Sequence, residues 1–179
     1  AASDVYKRQH LAFMAIRDIR LFGDPVLNTA AEEVDVFDER LHRLVGDMLE
    51  TMDAAGGVGL AANQVGVAQR VFVFDCQGLR GHIVNPVWTP LGEDTQIGVE
   101  GCLSVPDVRG TVERHNTVVA HGADMCRRPL TLRGSGLLAR CIQHEADHLD
   151  GVMFTARMSP ADRKAALDAI AAAEWNKEN

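Results

Sequence analysis

The chain has 179 residues, 46% hydrophobic and 24% charged, which is the size and balance of one globular domain with its own core. Its formal charge is -7, from 25 acidic and 18 basic side chains, and no run of Lys or Arg marks a polyphosphate footprint, so direct sequence-specific binding of nucleic acid is not expected. No apolar stretch approaches the ~20 residues needed to cross a bilayer, so a membrane is not expected either.

Residues 1–13, AASDVYKRQHLAF, lack the basic start, long apolar run and small-residue cleavage site of a secretory signal, and they precede Met14. They read as an extension outside the fold, with the tail of a short targeting segment as the alternative, because Lys7-Arg8 stand before HLAFMAI. Residues 14–179 read as a single domain. It begins with a strand-like stretch, IRDIRLF, and the turn Gly23-Asp24-Pro25. Between Asp38 and Ala55 the apolar residues Leu41, Leu44, Val45, Met48, Leu49 and Met52 recur at helical spacing, and Gly56-Gly57 stop that helix. RVFVFD at 70–75, IVNP around Ile83 and TVVAHG around Val118 predict short strands separated by turns. A second amphipathic helix is expected from about Gly136 to Leu149, with Leu137, Leu138, Cys141 and Ile142 inward and Gly151 past its end. A last helix starts with Ser159 as N-cap, Pro160 in the first position and Asp162 near the positive end of the dipole, and runs through AALDAIAAAEW. Helices at both ends around short strands imply an α+β fold, with short antiparallel or mixed strands packed around a central helix.

That central helix carries His144-Glu145-Ala146-Asp147-His148. Residues four apart on a helix lie above one another, so both imidazoles can reach one metal, while Glu145 sits about 100° further round, beside the metal, where a carboxylate can handle a proton. A pair of histidines satisfied within the core is the bland alternative, since polar groups on a buried face need partners of any kind.

A catalytic zinc-type site takes three protein ligands and keeps one position open. No His follows His148, and Glu174 lies in the Ala-rich terminal helix without a distinctive motif. Upstream, Cys102 in GVEGCLSVP offers a thiolate, a strong ligand for soft divalent metals. Cys76, Cys126 and Cys141 read as small buried hydrophobes, and the four cysteines match neither a disulfide scaffold nor paired zinc knuckles, which fits a reducing cytosol.

Three stretches, Gly57-Val58-Gly59-Leu60-Ala61-Ala62-Asn63-Gln64, Glu100-Gly101-Cys102-Leu103-Ser104 and Gln143-His144-Glu145-Ala146-Asp147-His148-Leu149, resemble the three signature motifs of the peptide deformylase family, in the family's order. The likeness extends in weaker form from about Met14 to about Met158. It implies a hydrolase that removes the formyl group from the N-terminal formylmethionine of nascent polypeptides, with N-formylmethionyl peptides and the ribosome as partners. It also implies that Cys102, His144 and His148 hold one divalent metal, iron(II) physiologically with zinc, nickel or cobalt as replacements, and that Glu145 is the general acid/base. By the same resemblance the Gln64 side-chain amide and the backbone N–H of Leu103 are donors to the oxyanion that forms, and Glu100 and Arg114 make a supporting ion pair. Gly57 and Gly59 have a physical reason of their own, since a residue without Cβ lets a peptide backbone approach as an added strand. Val58, Leu137 and Cys141 flank the site and are candidate walls of an apolar methionine pocket. Asn63 fills the variable place of the first motif and Arg140 lies two residues before a stretch where the family often varies, and neither is expected to touch a chemically required position.

Two alternatives stay open at the level of the residues. One is a metalloprotease sharing the H-E-x-x-H pair, whose third ligand would lie downstream. The other is a noncatalytic metal-stabilised binding domain, which would need a fourth protein ligand. A bacterial cytoplasm is the expected setting, with an organelle as second choice.

Overall fold

The computed structural model describes residues 15–177, so the expected N-terminal extension, and residues 10–14 of the alternative targeting stretch, lie outside the described residues. The first helix, α1 (Glu39–Ala55), forms where its spacing predicts. The Asp38 carboxylate caps it, accepting from the backbone N–H of Arg40 at 3.0 Å and of Leu41 at 3.2 Å, and Gly56 ends it in the left-handed region at φ 68°. Leu41, Leu44, Val45, Met48 and Met52 are buried, whereas Leu49 is only partly so.

Seven strands follow: β1 (Gly59–Ala61), β2 (Val71–Cys76), β3 (Leu79–Pro90), β4 (Thr95–Cys102), β5 (Val105–His115), β6 (Thr117–Ala123) and β7 (Pro129–Ser135). Five of them make an antiparallel sheet in the order β1-β2-β3-β6-β7, and β4 and β5 pair separately. The alternation in β2 shows how the sheet is covered. Phe72 and Phe74 enter one core with Ile83, Ile142 and Leu149, while Val71 and Val73 enter another with Leu44, Met48 and Met52. Successive side chains point to opposite faces, and an apolar layer waits on each side, so RVFVFD reads as a nearly unbroken apolar run.

Several expectations need correction. IRDIRLF forms no strand. Its backbone donors are spread over separate elements, Arg17 to Thr51 Oγ1 of α1 at 2.9 Å, Arg20 to Gln64 O at 2.7 Å and Phe22 to Ser104 O at 2.8 Å, so no continuous ladder forms. β3 and β5 are long, 12 and 11 residues, because hairpin partners extend them past their apolar centres. The register of β3 shifts between Val84 and Val87, where Asn85 takes φ 52° and its amide clasps the backbone of Val34 in both directions, at 2.8 and 3.0 Å.

The second helix, α2 (Leu137–Leu149), forms where it is expected, and it is buried at every position from Leu138 to Leu149, the polar face included. It packs against strands of both sheets. Leu137 is the exception at 48% exposed, because the first turn points it outward, contrary to its inward assignment. The terminal helix α3 (Pro160–Ala172) is capped by Ser159 Oγ, which accepts from the Asp162 N–H at 3.2 Å. It stops short of the expected Trp175: Ala173 is extended, and a single turn, α4 (Glu174–Lys177), brings Trp175 Nε1 to donate to Pro106 O of β5 at 3.1 Å. Among the described residues, no helix is long and apolar enough to cross a membrane.

Candidate metal centre

The three motifs converge on the buried face between α2, β1 and the β4–β5 turn. Cys102 ends β4, and Leu103-Ser104 form the two-residue turn into β5. His144 and His148 lie one turn apart on α2, their rings edge to face at 4.9 Å. One donor atom from each of Cys102, His144 and His148 falls within 4.8 Å of the others, and Cys102 Sγ lies 3.3 Å from His148 Nε2. Ligands at the ~2.0–2.3 Å distances usual for nitrogen and sulfur would be separated by comparable lengths, so the trio fits a single divalent ion.

Glu100 on β4 fixes the His144 ring. Its Oε1 is 2.8 Å from His144 Nδ1, which leaves Nε2 as the free donor atom. Arg114 on β5 donates to both oxygens of Glu100 at 3.0 Å, and Arg140 on α2 donates to Oε2 at 2.9 Å. Burial works to raise the Glu100 carboxyl, but the hydrogen bonds from His144 and Arg114 hold it down at about 2. Arg114 continues to Asp147 Oδ2 at 2.6 Å, and Arg157 takes the same carboxylate from the other side. The Glu100–Arg114 ion pair expected from the resemblance is therefore a buried one, with Arg114 6% exposed. Arg140 is where the sequence reading fell short: expected to touch nothing required, it lies 6% exposed on the carboxylate that holds His144. A charged residue on an otherwise buried helix was the available signal, because such a charge must be paired.

Glu145 is 4% exposed and its Oε2 has no hydrogen-bond partner among the described residues. Burial raises its carboxyl to about 7, against the pull of His144. Burial also pushes His148 well below the ordinary histidine value, with His144 adding to the effect, which favours the neutral ring. Gln64 is 1% exposed, held in a 3-10 turn (Ala62–Val65) after β1. Its Oε1 accepts from the Ala61 N–H at 3.0 Å, and its Nε2 donates to Ser104 Oγ at 3.1 Å and towards Cys102 Sγ at 3.5 Å. Asn63, fully buried, donates to Thr29 O at 3.0 Å and so anchors that turn from the far side.

The two glycines of the first motif have steric duties within the fold. A Cβ at Gly57 would stand 2.7 Å from Leu103 Cδ1, and one at Gly59 would stand 2.5 Å from Glu145 Oε1. β1 is also the end strand of its sheet. Val58 is 46% exposed, with its carbonyl accepting from Asp75 N and from Cys141 Sγ. Cys141 is buried and its thiol is pushed well up by burial and then by Glu145. Cys76 is buried as expected, while Cys126 is exposed because it sits in the 124–128 turn.

Comparison with known proteins decides what this constellation belongs to. The family model described as polypeptide deformylase matches residues 16–164. The chain belongs to the polypeptide deformylase family. It is accordingly a hydrolase that removes the formyl group from the N-terminal formylmethionine of nascent polypeptides. Peptide deformylase 1 of Corynebacterium efficiens is 60% identical over 166 residues, covering 90% of this chain and 98% of that protein. Among solved structures, a peptide deformylase from Legionella pneumophila superposes with TM-score 0.83 at 40% identity, covering 88% of this chain and 95% of the other. One from Synechococcus elongatus in complex with actinonin gives 0.82 at 38%, covering 89% and 90%.

Proposed function

We propose that this deformylase works through a single metal held by Cys102, His144 and His148, with Glu145 carrying the proton. The observation that supports it most is the buried Oε2 of Glu145, which has no hydrogen-bond partner among the described residues although Glu145 directly follows His144 of the Cys-His-His trio on α2. A buried carboxylate oxygen is ordinarily satisfied, and a proton carrier that must meet water and then a leaving amine cannot be tied up beforehand. The chemistry a divalent ion supplies in a three-ligand site is acidification of a water and polarisation of a carbonyl. Iron(II) is the proposed physiological ion, with zinc, nickel or cobalt as replacements, since a thiolate and two imidazoles suit all of them.

The peptide lies extended along the outer edge of β1, its backbone against Gly57 and Gly59, with the methionine side chain among Val58, Leu137 and Cys141. The Gln64 amide and the Leu103 N–H donate to the formyl oxygen as it gains charge. Glu145 accepts the proton of the attacking water and delivers it to the peptide nitrogen as the C–N bond breaks, giving formate and a free N-terminus. A bacterial cytoplasm, where formylated chains leave the ribosome, is the proposed setting.

The test is formate release from formyl-Met-Ala-Ser by protein purified without air and loaded with iron(II), beside Glu145→Ala. Turnover that is lost in the variant while one metal per chain is retained supports the assignment. Turnover that survives the substitution removes Glu145 from its role, and an inactive parent with one bound metal returns the reading to a noncatalytic domain.

A further inference from the structure

Arg140 belongs to none of the three motifs, yet it is built into the centre. Its Nη1 donates to Glu100 Oε2 at 2.9 Å and to Val112 O on β5 at 2.9 Å, with Gly98 O on β4 at 3.4 Å. Its Nη2 reaches the Gln96 carbonyl and side-chain oxygens, each at 3.4 Å. The guanidinium passes over β4 at Gly98, where a Cβ would stand 3.0 Å from Nη2 and 3.2 Å from Cζ. Any side chain at that position presses on the group that reaches Glu100.

Arg140 and His144 are four residues apart, on one face of α2. Glu100 bonds to both, through Oε2 to Arg140 and through Oε1 to His144 Nδ1, and so closes a ring of contacts across one helical turn. Arg114 approaches the same carboxylate from β5 and also donates to Asp147, three residues after His144 on α2, so it ties Glu100 to the helix on the far side of the imidazole. Among the described residues, the contact from Arg140 ties the carboxylate to the turn of α2 just before His144, so the imidazole is referenced to Glu100 from both sides.

We propose that Arg140 is a positioning residue for the metal ligand His144, acting through Glu100, and that Gly98 is the position that gives it room. This rests on Cys102, His144 and His148 being the ligands. Outer partners of a ligating histidine set its ring orientation and commonly change metal affinity about 10–100-fold when removed.

The experiment loads the parent protein, Arg140→Leu, Arg140→Lys and Gly98→Ala with cobalt(II). It reads the visible cobalt spectrum, the rate of cobalt loss to excess chelator, and KM and kcat on formyl-Met-Ala-Ser. Arg140→Leu is expected to shift the spectrum, release cobalt at least about 10-fold faster and lower kcat while KM stays within about twofold. Arg140→Lys restores part of each, because an ammonium can still reach one oxygen of Glu100. Gly98→Ala moves every readout in the same direction by less, and adds nothing on top of Arg140→Leu, as coupled positions should. An Arg140→Leu protein with a lower melting temperature but the parental spectrum and release rate would overturn the proposal, leaving Arg140 a core support. If Arg140→Leu does not fold, Arg140→Lys and Gly98→Ala decide: parental spectra in both overturn it. A parent that shows no thiolate–cobalt spectrum overturns the ligand assignment itself, and with it this role.

Discussion

Glu145 lies against the backbone of Gly59, so closely that a Cβ there would stand 2.5 Å from Oε1 and 2.8 Å from Cys141 Sγ. The end strand β1 is thus the wall that sets the carboxylate's place. Gly59→Ala is expected to displace Glu145 and the thiol together, costing about 1–3 kcal/mol of stability by overpacking. Since misplacing a reacting group by about 1 Å can cost about 10²-fold, kcat/KM should fall by at least tenfold. Steady-state kinetics beside urea unfolding checks both; parental kinetics would mean that β1 does not hold the carboxylate.

Gln64 gives a cleaner separation of fold from chemistry. Its Oε1 supports the Ala61 N–H, whereas its Nε2 points to Ser104 Oγ and Cys102 Sγ. Gln64→Glu keeps the first bond and removes the donor. Losing one oxyanion donor typically lowers kcat about 10²–10³-fold, so this variant should fold, bind metal and turn over at that reduced rate. Gln64→Leu instead leaves the Ala61 N–H buried and unpaired, at about 1–3 kcal/mol, and should lose stability as well. Equal melting temperatures for the two variants would refute the division.

The helices and the caps at Ser159 and Gly56 were legible because they rest on local physics: Ser159 accepts from a backbone N–H three residues on, and Gly56 takes the left-handed turn. The approach of His144 to His148 was legible as one helix turn, whereas that of Cys102 came only from the resemblance of its motif. The β4–β5 hairpin was not, since Gly98, Gly101, Pro106 and Gly110 interrupt its alternation and Ile97 and Val99 face outward, 73% and 58% exposed. Leu137 was misplaced for a similar reason: periodicity gives a face, but only the packing of the first turn says where that face ends. Arg140 was missed because a charge on a helix announces the need for a partner without naming it; Glu100 comes from 40 residues earlier.

Two arginines on Asp147 show why burial decides the worth of an ion pair. Arg157 makes two contacts, at 2.8 and 3.1 Å, but its side chain is 50% exposed, whereas that of Arg114 is 5% exposed and also serves Glu100. Arg157→Ala is expected to cost about 1 kcal/mol or less. Arg114→Met strands parts of two buried carboxylates and should cost about 3–5 kcal/mol. Urea denaturation of the two variants checks the contrast, and comparable midpoints would contradict it.

The last prediction concerns acid. His82 on β3 accepts the Met125 N–H at its Nε2, 2.9 Å away, and His42 on α1 lies 2.9 Å from Met125 O through its own Nε2, so the 124–128 turn is clasped between a strand and a helix. An accepting ring must be neutral. Burial pushes the His82 value below its ordinary one, and His42 adds to this while Asp124 opposes it. With the folded value below the unfolded value of about 6.5, the unfolded chain binds more protons in the window between them, so stability falls as pH drops from about 7 through that window and recovers as pH rises. His82→Gln, which keeps an acceptor but cannot titrate, is expected to flatten the dependence of the melting temperature on pH between about 7 and 5. Identical pH profiles for the parent and the variant would show that the Met125 clasp does not titrate.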